Sequence, residues 1–177
     1  LEALGPVAPA TPLTADAARV LPVTTSRGNN GVLAVSATDG GTWLVVAAAP
    51  DATLAGTRLL EGVQVVKLSA TGAVETRFST GVNVAQLAVS PRGVLLVAGS
   101  FTGTLTVQGR VLTSGGASDV ALLGFTPAGQ LLWARSVGSA SSDTARPVAV
   151  DSEGNFLVTA NLGPNALVQS VRASDGA

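Results

Sequence analysis

The chain of 177 residues has no cysteine and no histidine. Without cysteine there is no disulfide, no thiolate nucleophile and no Cys-ligated metal, although this does not fix the compartment. Without histidine, the usual general base near neutral pH and the commonest transition-metal ligand are both missing. Charged residues make up 12% and the net charge is −1, with one lysine, Lys67, and scattered arginines that form no cluster. A nucleic-acid groove must neutralise several phosphates, so nucleic-acid binding is excluded as an expectation. The longest wholly apolar run, Trp43 to Pro50, is far short of the roughly 20 residues a membrane helix needs. No signal peptide and no initiator Met are visible, so the chain reads as a mature or trimmed product.

What the sequence has in abundance is small and β-branched. Hydrophobic residues reach 46%, drawn from Ala, Val and Leu, with only 3% aromatic, and there are 21 glycines. Such a composition suits short strands and tight turns rather than disorder. It is also repetitive. Leu87 to Gly99 (LAVSPRGVLLVAG) returns as Val148 to Ala160 (VAVDSEGNFLVTA), and earlier as Leu33 to Ala47 (LAVSATDGGTWLVVA). A phrase returning every 54 to 61 residues marks an array of supersecondary units that cannot bury their apolar faces alone.

Each copy reads as a strand, a Gly-containing turn and a second strand, at 33–48, 86–99 and 147–160. A second hairpin follows the first two copies: 63–68 with 73–78, and 119–125 with 130–137. Four short antiparallel strands per repeat at this period predict all-β, β-propeller-type blades, two complete and one partial. The expected organisation is a Pro/Ala-rich linker over 1–18, a leading strand within 19–30, blade one over 31–81, blade two over 82–142 and partial blade three over 143–177. Blade three has a third strand at 166–172 and lacks a fourth. The stretch Arg19 to Ser26 has the character of a fourth strand, and closing a propeller would let it complete blade three. Three blades fall short of the usual four to eight. The most economical reading is part of a longer propeller. Two copies forming a six-bladed ring and an open stacked array are the alternatives.

The segments Val97 to Val107, Leu112 to Leu122, Phe125 to Ser136 and Val148 to Asn155 resemble bacterial β-propeller repeats of the SBBP type. The resemblance is good over 82–160, weaker over 31–81 and absent over 1–18. Blade one departs from the pattern, with Thr76 where blade two has Trp133 and Gly62 where it has Asp119. The resemblance implies the propeller fold and an extracellular or cell-envelope setting, as in secreted proteins and lipoproteins, and it implies no reaction. The preference for arginine over lysine fits the GC-rich genomes in which such repeats are common.

Each candidate for chemistry has a structural reading that fits better. Asp151, Glu153 and Asn155 alternate like calcium-loop ligands, but the further acids of such a loop are missing, and Asp and Asn commonly cap hairpin turns. Gly129 to Trp133 resembles the Gly-x-x-x-Trp segment of quinoprotein-type propellers, where the tryptophan packs between blades. Asp119 and Asp143 open strand-like segments and are expected to accept backbone N–H bonds. Ser114 to Ser118 lacks the lysine and helix of a phosphate loop, and Ser139 to Ser142 has no histidine to activate a serine. No catalytic, cofactor or metal residue is therefore assigned. The expected function is a non-enzymatic extracellular or envelope module with a structural or binding role, its partner a protein or the remaining blades of its own chain. Two alternatives stand beside it: a fragment of a propeller enzyme or cofactor-binding propeller, and a self-assembling subunit, a homo-oligomer pairing through blade edges.

Overall fold

A computed structural model describes residues 23–24 and 32–177. The Pro-rich segment 1–18, and the leading stretch 19–30 apart from Val23–Thr24, lie outside the described residues. Among the described residues the chain is all-β and antiparallel, built as three sheets that follow one another along the sequence. In chain order the strands begin with β1 (Val23–Thr24), β2 (Val32–Ser36), β3 (Thr42–Ala48), β4 (Thr53–Leu54), β5 (Thr57–Arg58), β6 (Gly62–Leu68) and β7 (Val74–Ser79). Next come β8 (Asn83–Val89), β9 (Leu95–Phe101), β10 (Thr104–Val107), β11 (Arg110–Thr113), β12 (Asp119–Phe125) and β13 (Leu131–Val137). The last three are β14 (Asp143–Val150), β15 (Phe156–Leu162) and β16 (Asn165–Val171).

The first sheet has the order β2-β3-β6-β7, the second β8-β9-β12-β13 and the third β14-β15-β16. The third sheet therefore matches the first three strands of the others, as the repeat implies. A small hairpin is inserted between the second and third strands of the first two sheets: β4-β5 in the first, β10-β11 in the second. The sequence expectation had neither. The third sheet has no such insert, and β15 turns directly into β16 at Gly163 and Pro164. One expectation is corrected for the residues described. Val23–Thr24 pairs with Thr53–Leu54 of the first insert, not with β16. Those inserted residues lie nearer in sequence than β16 and offer Val23–Thr24 an open strand edge.

Turn chemistry fixes the hairpins. The chain bends at Gly40, Gly93 and Gly154, each at φ near +80°, a region that costs glycine little and other residues much. Ser90, Thr126 and Asp151 each add a side-chain bond, accepting the N–H of Val94, Gln130 and Asn155 four residues on. The β-bulges recur too. The fourth strands slip by one residue at matching places, between Lys67 and Leu68 in the first sheet and between Gly124 and Phe125 in the second. The first strands β8 and β14 are also bulged. In β14 the bulge takes in Pro147, which has no N–H to give to a ladder, and so the strand runs on to Asp143 instead of starting at 147.

The sheets stack face to face, with their first strands adjacent, β2 beside β8 and β8 beside β14. Alternation sorts the side chains. Trp43, Val45 and Val65 of the first sheet meet Leu95, Val97, Ala121, Leu123 and Phe125 of the second. On its other face the second sheet sends Leu96, Ala98, Val120 and Leu122 against Phe156, Val158, Ala160 and Val171 of the third. Being covered on both sides, β12 is buried at every residue, which explains its near-continuous apolar run. A third cluster seals the outer face of the first sheet. Val46, Ala48, Val66 and Leu68 are roofed by Ala52, Leu54 and Leu59 from the loop and insert that follow β3.

Candidate binding surface

The acids singled out in the sequence hold the backbone. Asp151 accepts the N–H groups of Glu153 and Asn155 in the hairpin turn, and Asn155 also donates its amide to it. The N–H of Asn155 is the main reason the Asp151 carboxyl lies below its ordinary value. Asp119, buried at the start of β12, accepts Gly115 N–H at 3.1 Å, Ser114 Oγ–H at 3.0 Å and Ser136 Oγ–H at 3.1 Å. Burial pushes Asp119 up, but the N–H groups of Gly115 and Gly116 and the two hydroxyls more than offset it, and its carboxyl is held below the usual value. Asp143, buried at the start of β14, accepts Ser139 N–H, Ser139 Oγ–H and Gly163 N–H. The two loops meet where Asp143 N–H donates to the Ser118 carbonyl at 2.8 Å. The serine-rich stretches 114–118 and 139–142 are thus the loops that these two carboxylates tie down. Among the described residues, no group of three or more acidic side chains is placed to hold a metal ion.

Trp133 packs between sheets. It lies flat against Gly124 across the β12–β13 ladder, leaving no room for a Cβ there. Its Nε1–H donates to the Ala173 carbonyl at 2.9 Å, fastening the second sheet to the turn after β16. Arg135 donates to the Gly176 carbonyl in that turn.

The first sheet solves the same packing problem differently. Lys67 and Thr76 stand where the second sheet has Gly124 and Trp133. Trp43 supplies the ring instead, from the neighbouring strand β3. The buried Lys67 ammonium lies 5.9 Å from the centroid of that ring and pairs with Asp39 and with Glu75, the latter at 3.1 Å. Asp39, then Glu75, hold the lysine above its ordinary value against the opposing effect of burial. Sequence reading missed this cluster, because its signal was a single lysine in a mostly apolar strand.

Among the described residues, the outer face of the third sheet has neither a neighbouring sheet nor a roof like that over the first. Counting from the turn glycines, Val65, Leu122 and Val168 are equivalent third-strand positions, paired with Val45, Ala98 and Thr159. Their exposures are 0%, 1% and 67%. Trp43, Leu96 and Leu157 form a second such series, at 1%, 0% and 39%. What the next sheet buries in the first two repeats is open in the third. The same surface continues through the outer edge of β16, which pairs with no strand among the described residues. Clefts elsewhere are shallow. One of about 470 Å³ lies between the turns carrying Arg92 and Glu153 and the turn carrying Arg172, and the Arg172 guanidinium there is paired with Asp175 at 3.4 Å. Among the described residues no helix is long and apolar enough to cross a membrane. Comparison with protein-family models and with curated proteins finds no match for this chain.

Proposed function

We propose that this chain is a non-enzymatic, β-propeller-type structural and binding module whose working surface is the free face of the third sheet. The observation that carries the reading is the exposure of Val168 at a position where Val65 and Leu122 are fully buried by a neighbouring sheet. Adjacent first strands support blades set around a common inner edge. The commitment of Asp119, Asp143 and Asp151 to backbone bonds supports a role without acid or base chemistry. The extracellular or envelope setting is part of the proposal and rests on the resemblance of residues 82–160 to SBBP-type repeats.

The absence of cysteine gives a direct test. Val168→Cys places one thiol on the face without disturbing a buried site. A water-soluble thiol reagent should label it rapidly in the purified protein and slowly in an extract of the producing cells, where the face is covered. Equal labelling in both would refute the proposal.

A further inference from the structure

We infer that the second insert is a strap. Its strands β10 and β11 swing away from the junction of the first and second sheets as one unit, while the sheets stay folded. The Gln108 side chain is the latch that holds them down. None of this depends on what covers the third sheet. Three observations meet here.

The first is how lightly the hairpin is tied to the array. β10 and β11 pair only with each other and share no ladder with a main sheet, although β11 runs beside β13. A two-stranded hairpin is marginal by itself. Thr104, Thr106, Arg110, Val111 and Thr113 are exposed, and Leu105 and Val107 are the buried anchors, set into the cluster shared by the first two sheets. At the root, Gly103 stands at φ +62° and its carbonyl accepts Ser114 N–H at 2.8 Å. Just beyond, Asp119 accepts Ser114 Oγ–H and Gly115 N–H. Movement that starts at Gly103 and Ser114 therefore stops short of β12.

The second observation is the tip. Gln108 stands at φ +44°, a region that suits glycine and strains a glutamine. Its side-chain amide donates to the Gly129 carbonyl at 2.9 Å, and its Oε1 accepts Leu131 N–H at 2.8 Å. Both partners lie where β12 turns into β13. Gln108 is itself exposed, so water competes for both bonds.

The third is that the first insert is held the other way. Its tip residue Ala55 has φ +49° and no side chain to bond with, and Gly56 beside it has nothing within 4 Å. The hold is at the root, where the buried Gln64 accepts Leu60 N–H at 3.3 Å and donates to the Leu60 carbonyl. Counting from the turn glycines, Ala121 stands at that position in the second sheet, paired with Gly99 as Gln64 is with Val46. The second insert thus has no such clasp, and its hold falls on Gln108. Release lifts Leu105 and Val107 out of the shared cluster. It also carries the cleft of about 370 Å³ at the root, lined by Gly81, Asn83, Phe101 and Leu105, into that core.

Native-state hydrogen exchange of the full chain in rising, sub-denaturing urea tests the strap. The amides of 104–113 should exchange through an opening that leaves β9 and β12 protected. Gln108→Asn separates the latch from the turn. It shortens the side chain by one methylene, out of reach of Gly129 and Leu131, yet gives the tip the Asn-Gly pair that hairpins prefer. Exchange across 104–113 should become about tenfold faster, with β9 and β12 unchanged. Gln108→Met, which keeps the length without the polar atoms, should act in the same direction. Slower or unchanged exchange in Gln108→Asn would show that the turn governs the hairpin and would overturn the inference. So would exchange of the strap only together with β9 and β12 in the unaltered chain.

Discussion

Replacing Trp133 by alanine should detach the third sheet while leaving the first two together. The side chain is 5% exposed. Truncating a buried tryptophan costs about 3–5 kcal/mol, and the buried Ala173 carbonyl, left without its donor, adds about 1 kcal/mol. Against a typical domain stability of about 5–15 kcal/mol, a loss of about 4–6 kcal/mol is a large share. It falls almost wholly on one junction, because each sheet of the array touches only its neighbours. Trp133→Phe keeps most of the packing and loses the hydrogen bond and part of the ring, for about 2 kcal/mol. The assay uses the fact that the chain has two tryptophans. In Trp133→Ala, Trp43 alone reports on the first junction, while hydrogen exchange across 143–177 reports on the third sheet. Exchange protection in the third sheet should fail at clearly lower denaturant than the Trp43 fluorescence transition. If both are lost together, or if alanine costs no more than phenylalanine, the reasoning that Trp133 ties one sheet to the next is wrong.

Other outcomes follow from the same geometry. Gly124→Val drives a side chain into the Trp133 ring and should cost about 2–3 kcal/mol by thermal or urea unfolding. Pairing Gly124→Lys with Trp133→Thr copies the Lys67–Thr76 arrangement of the first sheet, so the double variant should lose less stability than the sum of the singles. The Asp119 carboxyl is depressed in the folded state, so its contribution is present above the ordinary carboxylate value of 3.8 and is lost as pH falls below it. Lys67 is raised, so its contribution holds below 10.5 and is lost as pH climbs through its folded value. Urea midpoints should therefore be level between those limits, with Asp119→Asn flattening the acid fall and Lys67→Met the alkaline one. Asp119→Ala leaves the Gly115 N–H without an acceptor and should cost about 2–3 kcal/mol at neutral pH.

The parts of this fold that could be read from sequence are those governed by local turn chemistry. The hairpins at Gly40, Gly93 and Gly154 were legible because each glycine sits among short polar residues between two runs of alternating apolar residues. The capping roles of Asp119 and Asp143 were legible because each carboxylate stands where a loop becomes a strand, and that of Asp151 because it stands where a strand enters its hairpin turn. The inserted hairpins were not. Their tips, Ala55-Gly56 and Gln108-Gly109, are two-residue turns with positive φ at both positions. Alanine and glutamine rarely adopt that conformation, so these turns lacked the Asn-Gly or Asp-Gly signature by which they are usually recognised. The Lys67 cluster was hidden for a different reason. Asp39 reaches Lys67 across 28 residues, and that depends on a register which only the folded sheet supplies. The open edge of the third sheet was anticipated from its missing fourth strand, but its open face was not, and the sealed face of the first depends on Leu54 and Leu59, residues the sequence reading assigned to no strand.

The glycines divide the molecule into a closed end and an open one. At the hairpin turns, a methyl group on Gly129 would meet the Phe78 ring at 2.9 Å, and one on Gly176 would meet Trp133 at 2.7 Å. On the inserts, Gly56, Gly103 and Gly109 have nothing within 4 Å. Added length at the turn end would wedge adjacent sheets apart, whereas at the Ala55-Gly56 tip it would extend into solvent. Foreign peptides grafted at that tip should therefore be displayed without unsettling the array, and the same asymmetry tells an engineer which end of the scaffold can be rewritten.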